Sequence, residues 1–134
     1  MKGNRDRVSM TRAFVYYARL LGNMGDRSPL DIYNCIRGAC GKNLALANDL
    51  WAAHETLTVL ALQKKNEALR ALGEIYLEPF ASHPERRVRK NEISMRVLRF
   101  ALENHLDERT VYRRLGYVRG LWLEIREFGK QNKK

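Results

Sequence analysis

The sequence is poor in the residues that build common catalytic and metal sites. Its three histidines, His54, His83 and His105, stand far apart, and neither a Gly-x-Ser-x-Gly nor a His-Glu-x-x-His motif occurs. The carboxylates are scattered along predicted helices, where ion pairing with basic neighbours is the usual arrangement. We therefore predict no catalytic residue, no metal site and no cofactor, and we do not expect an enzyme.

Cysteine and long apolar runs are also scarce. Cys35 and Cys40 are too few for a disulfide framework or, without companions, for a zinc site, so we expect two thiols in or near a helical core. No stretch reaches the roughly 18 consecutive apolar residues of a membrane span, and the first residues do not resemble an export signal. These absences predict a cytoplasmic protein with no membrane partner.

Basic side chains are what the sequence has in excess. Its 134 residues include 25 Lys and Arg against 15 Asp and Glu, which gives a formal net charge of +10. Residues 81–134 contain 14 of the basic and 7 of the acidic side chains, so they carry most of the excess. Such a charge favours nucleic acid or another anionic surface as the partner.

The hydrophobic pattern predicts an all-α protein, a compact helical bundle. With 45% hydrophobic residues, the chain is long enough for one domain with a core. We expect an N-terminal helical region over residues 1–77, beginning with a flexible arm at 1–9 and a helix from Met10 to about Leu21. Ser28 and Pro29 are typical of the start of a second helix.

Good helix formers dominate residues 43–77, and this segment predicts either one long helix or two stacked helices. The polar run 63–66 is the candidate position for a break between them. Trp51 and His54 lie within the segment. We interpret them as a core tryptophan and a partnered structural histidine.

A second region, residues 78–134, is predicted to be basic and to contain a helix-turn-helix. Two prolines in the segment Glu78–Pro84 predict a loop at its boundary. Ser82 and Glu85 have the spacing of a capping box, which predicts that a new helix starts there. From about residue 129 we expect a flexible basic tail.

The strongest pattern in the chain surrounds residues 104–106. A helix is predicted from Glu92 to Asn104, and Asp107 is a good N-cap for the helix that follows. The short connection gives the pair the proportions of a helix-turn-helix, whose second helix enters the major groove of DNA. The second helix carries an apolar stripe at four-three-four spacing: Val111, Leu115, Val118 and Trp122.

Basic and aromatic residues occupy the positions between the members of that stripe. The candidate DNA-contacting residues of this helix are Arg109, Thr110, Tyr112, Arg113, Arg114 and Tyr117. Arginine can donate two hydrogen bonds to guanine, and threonine can contact a base or a phosphate. A second basic cluster consists of Arg86, Arg87, Arg89 and Lys90. This cluster is consistent both with phosphate contacts and with a solvated surface.

The decapeptide Leu106-Asp-Glu-Arg-Thr-Val-Tyr-Arg-Arg-Leu115 resembles the start of the recognition helix in sigma-factor-like helix-turn-helix domains. The segment Ala71–Pro79 is similar to the first helix of such domains. Over about residues 70–128 the chain resembles phage-encoded late-gene transcription regulators related to RinA and ArpU. The resemblance implies a phage or prophage protein that binds duplex DNA and acts with RNA polymerase.

These observations predict a sequence-specific DNA-binding transcriptional regulator. The alternative is a helical protein-protein interaction module that uses the apolar stripe as a docking surface or a homodimer seam. RNA binding has less support, because no RNA-recognition motif with stacking aromatics is visible. If the stripe packs on Ile93, Val97 and Phe100, the arginines are free to face DNA. If it packs on a second copy, DNA binding requires a dimer.

Overall fold

Helices account for all the regular secondary structure in the residues that the computed structural model describes, which are 2–22, 28–83 and 87–131. In these ranges no helix combines the length and the apolar character needed to cross a membrane. The helices are α1 (Lys2–Leu21), α2 (Pro29–Cys40), α3 (Leu44–Leu62), α4 (Asn66–Leu72), α5 (Glu78–Ala81), α6 (Glu92–Glu103) and α7 (Glu108–Gln131), with a π-helical turn (Gly73–Leu77) between α4 and α5. The predicted all-α bundle is confirmed.

Helix α7 lies at the centre of the bundle, and its most extensive contacts are with α3. Trp122 is fully buried there, and its indole N–H donates a hydrogen bond to the backbone carbonyl of Asp49, with an N–O distance of 3.2 Å. One turn further on, the Asn48 side chain donates to the carbonyl of Arg126 at 3.0 Å. These bonds satisfy polar groups that would otherwise be buried without partners, and they fix the register of the two helices.

The apolar stripe of α7 is buried inside its own chain. Val111, Val118 and Trp122 have no exposed surface, and Leu115 is 5% exposed. The stripe shares one hydrophobic cluster with Val97 of α6 and with residues of α1, α3 and α4. It is therefore not available as a docking surface or dimer seam, so the predicted use of the stripe for this purpose is wrong, while a protein-protein interaction module as such stays a prediction.

The turn between α6 and α7 follows the sequence prediction. Oδ1 of Asp107 accepts a hydrogen bond from the backbone N–H of Arg109 at 3.0 Å, which caps the start of α7. Leu106 packs against the main hydrophobic cluster. His105, between them, has a φ of +55°, which lets the chain reverse within four residues.

The polar run after α3 is a break between two helices. Lys64 has a φ of +57°, in the left-handed region, so no helix can continue through it. Helix α3 ends at Leu62, and α4 starts at Asn66. Of the two arrangements that the sequence allowed, the structure has two helices.

Both predicted flexible ends are helical where they are described. Helix α1 begins at Lys2, so the expected arm at 1–9 is wrong from residue 2 onward. No proline interrupts this segment, and α1 runs through it without a break. Similarly, α7 continues to Gln131, which places residues 129–131 in a helix instead of a tail.

The predicted loop at Glu78–Pro84 is wrong in its first half. Residues 78–81 form α5, which follows the π-helical turn directly, and Phe80 is fully buried against α1. Pro79 lies in the first turn of α5, where its missing N–H costs little. The burial of Phe80 therefore outweighs the preference for a loop that Pro79 gives to this segment.

The helix predicted to start at Ser82 is also wrong. Residues 87–89 are irregular, and α6 begins only at Glu92. Asn91, with a φ of +63°, ends the irregular segment. Glu85 and Arg86 lie outside the described residues.

His54 is a partnered structural histidine, as predicted. Its Nδ1 lies 2.9 Å from the hydroxyl of Tyr17, and its ring packs 5.2 Å from that of Trp51, centroid to centroid. Burial lowers the pKa of His54 from 6.5, with a smaller opposing effect of Glu55. Burial also raises the pKa of Tyr17 to about 12, so the phenol keeps its proton.

The lowered pKa of His54 should make stability depend on pH. Below its unfolded pKa of 6.5 the unfolded chain binds a proton that the folded state resists, so the free energy of unfolding should decrease as the pH falls through 6.5. Urea unfolding at several pH values between 7.5 and 5.5 measures this slope. The slope should be smaller in His54→Asn, and an equal slope in both proteins would contradict the assignment.

Candidate nucleic-acid interface

Burial of the apolar stripe turns the opposite side of α7 toward solvent. Because a helix has 3.6 residues per turn, the positions just beside Val111 and Leu115 point away from the core. Arg109, Tyr112 and Arg113 are all exposed there, Tyr112 to 39%. Three of the predicted DNA-contacting residues thus form one exposed surface on the first two turns of α7.

The other three predicted residues of α7 are partly engaged within the chain. Thr110 is half-buried. Nη2 of Arg114 lies 3.1 Å from Oε2 of Glu67, and the hydroxyl of Tyr117 donates a hydrogen bond to Oε1 of Gln63 at 2.8 Å. Arg114 therefore connects α7 to the first turn of α4, and Tyr117 connects it to the turn between α3 and α4.

This connection places two lysines beside α7 that sequence reasoning treated only as part of a polar break. Lys64 and Lys65 line a groove of about 560 Å³ together with Arg113, Arg114 and Tyr117. Nζ of Lys65 lies 5.5 Å from the centre of the Tyr117 ring, within the range of a cation–π contact. The exposed basic surface of α7 is therefore extended on one side by these lysines.

The basic cluster before α6 extends the surface on the other side. Arg87, Arg89 and Lys90 are exposed in the irregular segment, and Arg86 is not among the described residues. The backbone N–H of Arg89 donates to Oε1 of Glu92 at 3.0 Å, which holds the end of this segment against α6. Arg87 borders the same depression as Tyr112 and Arg113, so the two predicted clusters meet in space.

That depression is a cleft of about 770 Å³, bordered by α1, the irregular segment, α6 and α7. We call it the arginine cleft, because five arginines line it and no Asp or Glu does. Its lining residues are Met10, Thr11, Arg12, Val15, Tyr16, Arg19, Tyr76, Arg87, Val88, Ile93, Ser94, Tyr112, Arg113, Leu115, Gly116 and Arg119.

Two long helices face each other across the arginine cleft with the same spacing. From α1, residues 12, 15, 16 and 19 line it, and from α7, residues 112, 115, 116 and 119. Each set follows the i, i+3, i+4, i+7 pattern of one helix side. Arg12, Arg19 and Arg119 are not among the residues predicted to contact DNA. Their spacing was visible in the sequence, but the packing of α1 beside α7 was not.

Arginines of the cleft differ from the arginines of α6 in whether a carboxylate lies close to them. On α6, Arg96 and Arg99 pair with glutamates one turn away, at N–O distances of 2.8 and 3.0 Å. Within the described part of the chain, no carboxylate lies within ion-pair distance of Arg12, Arg113 or Arg119. These three arginines of the cleft thus have no neighbouring counter-charge among the described residues, which suits an anionic ligand.

Neither a metal-binding cluster in the described part of the chain nor a similar known protein indicates a different functional site. Across the described residues, no three His, Cys, Asp or Glu side chains come together to hold a metal ion. No family model, curated protein or solved structure matches this chain. The resemblance to RinA- and ArpU-related regulators therefore stays a prediction.

Crowded positive charge should reduce the stability of the folded protein. Replacing Arg119 with Met keeps most of the apolar stem and removes one charge, so the free energy of unfolding should rise by a few tenths of a kcal/mol in low salt. The gain should shrink in about 0.5 M NaCl, because salt screens the repulsion. Thermal unfolding at both salt concentrations measures the effect.

Arg70→Met is the matched control, since Arg70 is exposed and Nε lies 3.7 Å from Oε1 of Glu74. It should bring no gain, because it removes a weak attraction instead of a repulsion. If Arg119→Met is less stable than the wild type at low salt, the cleft arginines do not repel one another appreciably.

Proposed function

We propose that this protein is a sequence-specific DNA-binding transcriptional regulator that recognises duplex DNA with the first half of α7. The observation that carries the proposal is the orientation of that helix. Its apolar side is buried against its own chain, and this leaves Arg109, Tyr112 and Arg113 exposed on the other side. A capped helix that follows a four-residue turn and has a basic exposed side suits the major groove.

Different residues would contribute specificity and affinity. Arg109 and Arg113 are exposed near the start of α7, where a recognition helix contacts base edges, and each can donate two hydrogen bonds to guanine. Exposed basic side chains on both sides would contact phosphates: Lys64, Lys65, Arg87, Arg89 and Lys90. Phosphate contacts position the protein but carry no sequence information.

The protein-protein alternative needs a different surface from the one predicted. Met95, Leu98 and Leu102 are exposed on α6, on one side of that helix. They form an exposed apolar patch on the first helix of the predicted helix-turn-helix, which a partner could contact. The expected contacts with RNA polymerase or with a second copy of the chain stay predictions.

Duplex DNA binding at two salt concentrations separates the two functions. A DNA-binding protein should bind random duplex at low salt and lose affinity as salt rises, because each neutralised phosphate releases counterions. Sequencing genomic fragments that the protein retains at moderate salt would then identify the preferred site. An absence of binding at low salt would favour the interaction module.

Arg113→Ala tests the assignment of base recognition to α7. With the preferred site, the substitution should cost about 1–3 kcal/mol of binding free energy, and with random duplex it should cost little. Fluorescence anisotropy with both duplexes gives the two values. An equal loss on both duplexes would make Arg113 a phosphate contact.

The control for this experiment is Arg70→Ala, which removes an exposed arginine of α4 that lines neither basic depression. It has the same change in net charge, so it corrects for general electrostatic attraction. It should lower affinity for both duplexes only slightly.

A further inference from the structure

The arginine cleft has the size and the composition of a small-molecule site. Its volume of about 770 Å³ falls within the roughly 300–1,000 Å³ of typical ligand pockets. Besides the arginines it has an apolar part, to which Met10, Val15 and Leu115 contribute. Phosphate contact with duplex DNA would use the arginines and leave this apolar part unused.

A glycine in the middle of α7 keeps the cleft open. Glycine is a poor helix former, so Gly116 makes the helix less stable than alanine would. It lines the cleft, and a Cβ placed on it would meet no atom within 4 Å, so close packing does not require the glycine. Any larger side chain at this position would project into the space between α1 and α7.

The two parts of the cleft specify the chemistry of a ligand. Guanidinium groups bind phosphate with paired hydrogen bonds, and an apolar surface beside tyrosines accepts a flat ring. An inorganic anion would not use the apolar part, and a purely apolar ligand would leave Arg12, Arg113 and Arg119 without a counter-charge. A nucleotide has both a phosphate and a planar base.

We propose that the arginine cleft binds a free nucleotide, with its phosphates on the arginines and its base against the apolar part. Arg12 on α1 and Arg119 on α7 both line the cleft, so both helices contribute to the site. This binding does not depend on the proposed DNA-binding function. It can therefore be measured in the absence of DNA.

Isothermal titration of the full chain with ATP, GTP, CTP and UTP tests the proposal. At least one of them should bind, and Gly116→Leu should weaken that binding about tenfold or more, a loss of at least roughly 1.4 kcal/mol. Gly120→Leu is the matched control. Gly120 is another glycine of α7 with open space around it, but it does not line the cleft, so affinity should be unchanged.

A second variant keeps the test valid if Gly116→Leu fails to fold, which circular dichroism would show. Arg119→Met should lower nucleotide affinity by about tenfold, because it removes one phosphate-binding group. The proposal is overturned if no nucleotide binds, or if both cleft variants bind as tightly as the wild type.

Two further ligands distinguish a site for free nucleotides from a site for phosphate alone or for a nucleic-acid strand. Inorganic tripolyphosphate should bind more weakly than the best nucleoside triphosphate, because it lacks the base; equal affinity would reduce the site to a charge effect and overturn the proposal. A short single-stranded oligonucleotide that binds when no free nucleotide does would also overturn it, since the cleft would then accept a nucleotide unit only within a strand.

Discussion

The position of Trp122 against α3 is the constraint on which the rest of the structure depends. A fully buried tryptophan contributes several kcal/mol to stability, and its N–H bond to Asp49 allows only one register between the helices. Once the register of α7 against α3 is fixed, the direction in which each of its other side chains points is fixed as well. Val111 and Val118 must face the core, and Arg109 and Arg113 must face outward.

The same constraint concentrates positive charge on one side of the molecule. The arginines of α7 face outward beside α1, which contributes Arg12 and Arg19 to the same cleft, and the turn after α3 adds Lys64 and Lys65 nearby. A protein selected only for stability would pair or separate such charges. On α6 the arginines are paired with glutamates. The contrast between these paired arginines and Arg12, Arg113 and Arg119 supports the proposal that the charge of the cleft serves binding.

The sequence predicted the local features well and the long-range ones poorly. The cap at Asp107 and the stripe from Val111 to Trp122 depend on residues a few positions apart, so their patterns are readable, and both are confirmed. The prediction of a loop at Glu78–Pro84 was wrong in its first half because the burial of Phe80 against α1 outweighs the local effect of Pro79. The arginine cleft was missed because it forms between residues about one hundred positions apart, and no periodicity reports such a contact.

The exposed surface of α7 and the arginine cleft share residues, and this couples the two proposals. Arg87, Tyr112 and Arg113 border the cleft and also belong to the surface proposed for DNA. A phosphate bound in the cleft would neutralise charge that DNA phosphates need, so each ligand would weaken the other. Because coupling between binding sites is reciprocal, the factor by which a nucleotide lowers DNA affinity must equal the factor by which DNA lowers nucleotide affinity. If both proposals hold, the shared arginines make DNA binding sensitive to nucleotide concentration without any change in the fold.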